Sequence, residues 1–143
     1  MSPAPLGRDW LAANLPHQGT MNLLDAIVDW HPAGLRAVAS GHRSATNPLR
    51  REGELPVASV IEYAAQAAAA HGALLASAPS GPGMLVAVRG VKFLTARLDD
   101  IAAPLDIAVE PLGGGESGVI YTFEVSAAGR SLATGRLTVA FAR

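Results

Sequence analysis

Among the side chains able to carry or move a proton, Glu62, Gln66 and His71 stand in the least polar surroundings, within the run VASVIEYAAQAAAAHGALLA at residues 57–76. A carboxylate set among alanine, valine and isoleucine is poorly hydrated. Desolvation favours a carboxyl group that can give a proton as well as take one, which suits general acid/base chemistry. Gln66 follows Glu62 by one helical turn on the same face. It could orient the carboxylate, hydrogen-bond a substrate, or make a structural polar contact at a subunit interface. Glu62 has plainer alternatives too: an exposed helix-surface glutamate, or a partner for Arg50 or Arg51. His71 points to the side of the helix opposite Glu62 and reads as a packing or interface histidine.

Composition narrows the chemistry. The chain has 143 residues, no cysteine and a formal net charge of −1. Thiolate nucleophiles, disulfides and cysteine metal sites are therefore excluded. The four histidines (His17, His31, His42 and His71) are not spaced as a metal site, and neither a metal nor a bound cofactor is expected. Without a basic run there is no footprint for nucleic acid or an anionic membrane. The start, MSPAPLGRDW, lacks the basic stretch and apolar run of a secretory signal. The apolar stretch from Val57 to Ala78 is interrupted by Glu62, Gln66 and His71 and is unsuited to a membrane span. A cytoplasmic protein is expected.

The elements that must position these groups follow from pattern. Arg8 to Leu15 can form a short helix, limited by Pro16. From Met21 to His31, Leu24, Ala26, Val28 and Trp30 alternate with Asp25, Ile27, Asp29 and His31, which predicts a strand. Pro32-Ala33-Gly34 is a turn, and Leu35 to His42 alternates again to complete a hairpin. Ser44 to Pro56 reads as a long polar loop, and loops of that length are often functional. Val57 to Ala76 is a helix of about 20 residues, buried nearly all round because its surface is small and apolar. Ser77 to Gly83 ends it. Met84–Thr95, Leu105–Leu112, Val119–Ser126 and Ser131–Ala142 read as strands, with a loop at Gly113-Gly114-Gly115 and a tight turn at Ala128-Gly129. Strands on both sides of one buried helix argue α+β. The expectation is a single hot-dog domain over residues 1–143: an antiparallel six-stranded sheet wrapped round one long central helix.

Three segments carry a family resemblance. Leu15-Pro16-His17-Gln18-Gly19-Thr20-Met21-Asn22-Leu23-Leu24-Asp25 resembles the opening motif of the 3-hydroxyacyl-[acyl-carrier-protein] dehydratases of fatty acid synthesis. Leu55-Pro56-Val57 through Glu62-Tyr63-Ala64-Ala65-Gln66 resembles their helix segment, with proline, acid and glutamine in the same spacing. Val91-Lys92-Phe93 resembles the strand that follows. The pattern His42, Asn47-Pro48-Leu49-Arg50, Glu62 to Gln66 and His71-Gly72 is closer still to a subgroup of dehydratases associated with aryl-polyene pigment synthesis.

The resemblance implies dehydration of 3-hydroxyacyl thioesters held on the phosphopantetheine of an acyl carrier protein, by a dimer with an acyl tunnel along its interface. Glu62 would supply one acid/base group. The family's catalytic histidine belongs at the position that here holds Pro48. His17, matching a second histidine of the family, is the leading candidate for the imidazole, while His42 and Asn47 flank the vacant position. The family also uses the amide after the helix-start proline as an oxyanion donor, here Val57, although glycine is usual there. Arg50 and Arg51 could attract a phosphopantetheine phosphate or an acidic carrier. Two other functions stay open: an acyl thioesterase, and a non-catalytic acyl-binding subunit of a heterodimer. A homodimer is expected and a heterodimer possible, because a hot-dog sheet leaves an edge strand exposed.

Overall fold

A computed structural model describes residues 5–17, 19–79, 83–115 and 118–141. The alanine-rich run forms helix α2, Val60–Ala76, entered through a 3-10 turn at Val57–Ser59. Seventeen residues give it a length of about 26 Å. Its alanines at 64, 67, 68 and 70 are fully buried. Methyl side chains bury little area each, but they let a sheet approach the helix axis closely. The larger gain comes from the facing sheet residues, such as Ile107, Phe123, Val125 and Leu137, each worth roughly 1.5–3 kcal/mol when buried. The helix stops where Ser77 turns left-handed (φ 54°) and the Ala78 N–H bonds back to the Ala73 carbonyl, a helix-ending turn followed by Pro79.

Six strands wrap this helix: β1 Ala26–His31, β2 Gly34–Ala39, β3 Gly83–Phe93, β4 Leu105–Gly115, β5 Gly118–Ala127 and β6 Arg130–Phe141. They form one antiparallel sheet in the order β1-β2-β4-β5-β6-β3. This is the expected hot-dog arrangement. Helix α1, Arg8–Asn14, packs against α2 through the buried Leu11. Leu6 exchanges two backbone hydrogen bonds with Ile27 and so covers part of the β1 edge. The opposite edge is β3, which pairs only with β6 among the described residues.

Three strand boundaries differ from the sequence reading by three residues or more. The first strand begins at Ala26 rather than Met21, because Gly19–Met21 is a 3-10 turn and Leu23 is held by α2. A register shift between Ile27 and Asp29 also breaks the alternation, so Ile27, not Val28, is fully buried. The second strand ends at Ala39, and His42 tucks into a 3-10 turn at Gly41–Arg43. The glycine run is strand rather than loop: β4 continues to Gly115 against Gly118. A Cβ on Gly114 would stand 2.8 Å from the Gly118 carbonyl oxygen. Only glycine permits the two strands to lie that close.

Candidate active site

Glu62 lies in the first turn of α2, and α1 ends beside it. Pro16 follows the α1 cap at Leu15, and the chain leaves in an irregular segment that carries His17. That segment is tied to the helix by Gln66, which is fully buried. Its Oε1 accepts the Leu23 N–H at 2.9 Å and its Nε2 donates to the Met21 carbonyl at 2.7 Å. Gln66 thus holds the stretch that follows His17, and the helix fixes imidazole and carboxylate together.

His17 Nε2 stands 3.9 Å from Glu62 Oε1. This is too long for a direct hydrogen bond and leaves room for a reacting atom or a water to touch both groups. The two side chains open on a groove of about 160 Å³, lined also by Pro16, Ala65, Ala69, Leu85 and Val139. Apart from the pair itself the lining is apolar. Burial pushes the His17 imidazole below its ordinary value of 6.5, against the opposing pull of the Glu62 carboxylate. Near neutral pH the ring is therefore uncharged and able to accept a proton. Glu62 is less enclosed than the sequence suggested: 38% of its side chain is exposed, and His17 keeps 25%. The strip of α2 carrying Ile61, Glu62 and Ala65 is left half-covered by the chain's own sheet.

With this geometry in view, comparison with known proteins is decisive. The model of the ApeP dehydratase family matches residues 10–142. The chain belongs to the ApeP dehydratase family. No curated protein matches it. Among solved structures, the dehydratase heterocomplex ApeI:P from Xenorhabdus doucetiae is similar with a TM-score of 0.83 and 26% identity, over 93% of this chain and 91% of that one. AziG of S. sahachiroi has a TM-score of 0.59 and 18% identity over 86% and 93% of the two chains. A thioesterase of Pseudomonas aeruginosa has a TM-score of 0.56 and 16% identity over 81% and 79%. These last two share the fold. As a member of the ApeP dehydratases, the chain is a lyase that eliminates water.

In this ApeP-family dehydratase the other sequence candidates lie elsewhere, most of them held by hydrogen bonds of their own. The Val57 N–H donates to the Ala96 carbonyl at 3.1 Å, so it does not offer the free oxyanion donor expected there. The cause is a clasp on the segment before α2. Asp99 Oδ1 accepts the Leu55 N–H at 2.8 Å, and Arg97 bonds Asp99 and Glu54. The Arg97 guanidinium holds the Asp99 carboxyl far below the usual carboxylate range. Asn47 donates to the Gly41 carbonyl and the Tyr63 hydroxyl, and its Oδ1 accepts the Leu49 N–H. His42 is 1% exposed and donates from Nε2 to the Ile101 carbonyl. Neither Asn47 nor His42 lines the groove at Glu62. Arg50 is not the free phosphate ligand expected: its guanidinium is bound to the carbonyls of Arg43, Ser44 and Gly53, and it staples its own loop. Arg51 pairs through its backbone with Glu54.

His71 is fully buried, as its position opposite Glu62 implied. Its Nε2–H donates to the His31 carbonyl at 2.9 Å, so its Nδ1 must accept from the Tyr121 hydroxyl at 3.0 Å. Burial pushes the Tyr121 phenol up to about 12 and the imidazole down, which keeps the pair neutral. Sequence reasoning missed the groove walls Leu85 and Val139. They face each other across β3 and β6, and only the strand register brings them over α2.

Proposed function

We propose that this chain dehydrates 3-hydroxyacyl thioesters carried on an acyl carrier protein, within the aryl-polyene synthesis that its sequence motifs imply. His17 and Glu62 form the reacting pair. The neutral His17 imidazole takes a proton from C2 of the acyl chain as the C2=C3 double bond forms. The C3–O bond breaks, and the proton that His17 has taken passes to the departing hydroxyl, which the Glu62 side chain holds by a hydrogen bond and which leaves as water. His17 is then neutral again and ready for the next substrate. The 3.9 Å separation of the pair lets one substrate touch both groups. Ala65 and Ala69 leave space beyond the pair for the acyl chain, with Leu85 and Val139 as its apolar wall.

The observation that supports this reading most strongly is the convergence of one imidazole and one carboxylate, from separate elements, on a single apolar groove. The fatty-acid enzymes' histidine position is Pro48, so His17 takes the imidazole's place here. The test is incubation with a 3-hydroxyacyl carrier protein and, separately, with a saturated acyl thioester. Loss of one water from the first with no thiol released from either supports dehydration. Release of free thiol would favour a thioesterase instead.

A dimer is the working unit in this reading. The β3 edge offers unpaired backbone groups, with Leu85, Phe93 and Leu94 exposed on or beside it at 38%, 45% and 56%. A second chain on that edge would cover the open side of the groove. The ApeI:P structure is a heterocomplex, which favours an unlike partner subunit. Native mass spectrometry alone and with a co-expressed partner distinguishes a homodimer from a heterodimer. A monomer under both conditions would count against the assembly.

A further inference from the structure

The convex face of the sheet, away from α2, carries its charge unevenly: Arg36 on β2 is paired with Asp29 on β1, and beyond them acids and cations stand on different strand pairs. Acids occupy the β4–β5 half, at Asp106, Glu110 and Glu124. Cations occupy the β6–β3 half, at Arg89, Lys92 and Arg136, all exposed. Arg136 sits directly opposite Arg89 in the ladder. Like charges placed directly across a strand pair destabilise it. Among the described residues, none of these three cations has a carboxylate within 4.0 Å.

The backbone takes a detour to gather them. Arg89 and Lys92 are three residues apart and would normally point to opposite faces. A register shift between them, with Gly90 at φ +60°, brings Lys92 opposite Thr134 while Arg89 stays opposite Arg136. Both side chains therefore share the solvent face. Charges on an edge strand can discourage sheet-to-sheet aggregation, which would account for Arg89 and Lys92. It does not account for Arg136, which is on the inner strand β6. The same two strands supply Leu85 and Val139 to the groove on the opposite face of the sheet, roughly 10 Å along the ladder from Arg136.

We propose that Arg89, Lys92 and Arg136 form the docking surface for the acidic face of the acyl carrier protein, in place of the loop arginines. Arg50 is held by three carbonyls of its own loop and cannot reach out. This rests on the reading that the substrate arrives on a carrier. The sign separation across the sheet orients the partner, with its acids attracted to β3–β6 and repelled from β4–β5.

The experiment measures binding of 3-hydroxyoctanoyl acyl carrier protein to the wild-type chain, to the charge-reversed R89E/K92E/R136E variant and to the neutral R89Q/K92Q/R136Q variant. All three positions are exposed, and circular dichroism checks the fold. The proposal expects the Kd to rise about tenfold or more on charge reversal and less on neutralisation. The salt dependence seen for the wild type should flatten in both variants. Unchanged carrier affinity in both variants would overturn it, as would a wild type that does not bind the carrier. Binding of phosphatidylglycerol vesicles through these cations, with carrier affinity untouched, would overturn it as well. Failure of the dehydration reading shows separately, as absence of water loss from a soluble 3-hydroxyoctanoyl N-acetylcysteamine thioester.

Discussion

Replacing His17 by alanine tests the assignment of the base, because among the described residues no other imidazole lines the groove: His42 and His71 are buried in their own hydrogen bonds. A positioned acid/base group contributes about 10² to 10⁴ in rate. The groove is open enough to leave 25% of the His17 side chain exposed, so water can enter the vacated space and act weakly in its stead. That places the expected loss in kcat toward the lower part of the range, about 10² to 10³, or roughly 2.7–4 kcal/mol of transition-state stabilisation. The pH profile adds a sharper requirement. Burial lowers the His17 pKa below 6.5, so wild-type kcat/KM should be flat near neutrality and fall tenfold per unit once pH drops below the folded-state value. H17A should lose that limb along with the rate. The assay is stopped-time intact-mass spectrometry of the acyl carrier, read between pH 4.5 and 8. A variant that keeps the wild-type rate and the acid limb would refute His17 as the base.

Two further consequences concern the frame around the pair. Gln66→Leu removes both partners of the Leu23 N–H and the Met21 carbonyl. Chemical denaturation should show a loss of about 2 kcal/mol or more, with kcat falling more than KM rises because the His17 segment loosens. A stable variant with normal kcat would show that the staple does not position the histidine. His71 also titrates below 6.5 through burial. The unfolded chain then takes up the proton first. Its contribution to stability is complete above about pH 6.5 and is lost as pH falls through the lower folded-state value. His71→Gln should flatten the acid side of the stability profile measured by urea titration, and an unchanged slope there would contradict the buried neutral assignment.

Much of the fold is legible because two kinds of pattern are strong. A run of alanines bounded by Pro56 and the Ser77–Gly83 segment can be little other than a buried helix, and Glu62 stands out as its carboxylate. Alternation finds the β2 and β5 cores, and Ala128-Gly129 forms the expected tight turn, with φ 50° and 79°. Alternation fails where the ladder is irregular. The shift between Ile27 and Asp29 turns Ile27 into the core, while Trp30 keeps the core side that alternation gave it. Gly113–Gly115 looks like a loop because glycine is poor in strands, yet a close strand approach requires it at Gly114. The site was partly legible for the same reason. Helical spacing puts Gln66 behind Glu62, and Pro16 leaves His17 in irregular chain. The partners of Val57, His42 and Arg50 were not legible. Each is a backbone carbonyl whose position depends on the folded path, as Ala96 and Ile101 are for Val57 and His42. Side-chain type says only that a group can bond, not that it is already bonded.

The most direct test of the account is a kinetic cycle on one substrate, comparing wild type, H17A, E62Q and the double variant for water loss from a 3-hydroxyacyl carrier protein. If imidazole and carboxylate serve a single elimination, either change alone removes most of the rate, and the double variant is scarcely slower than the worse of the two. Independent effects that multiply, or an E62Q protein that still eliminates water at the wild-type rate, would contradict it.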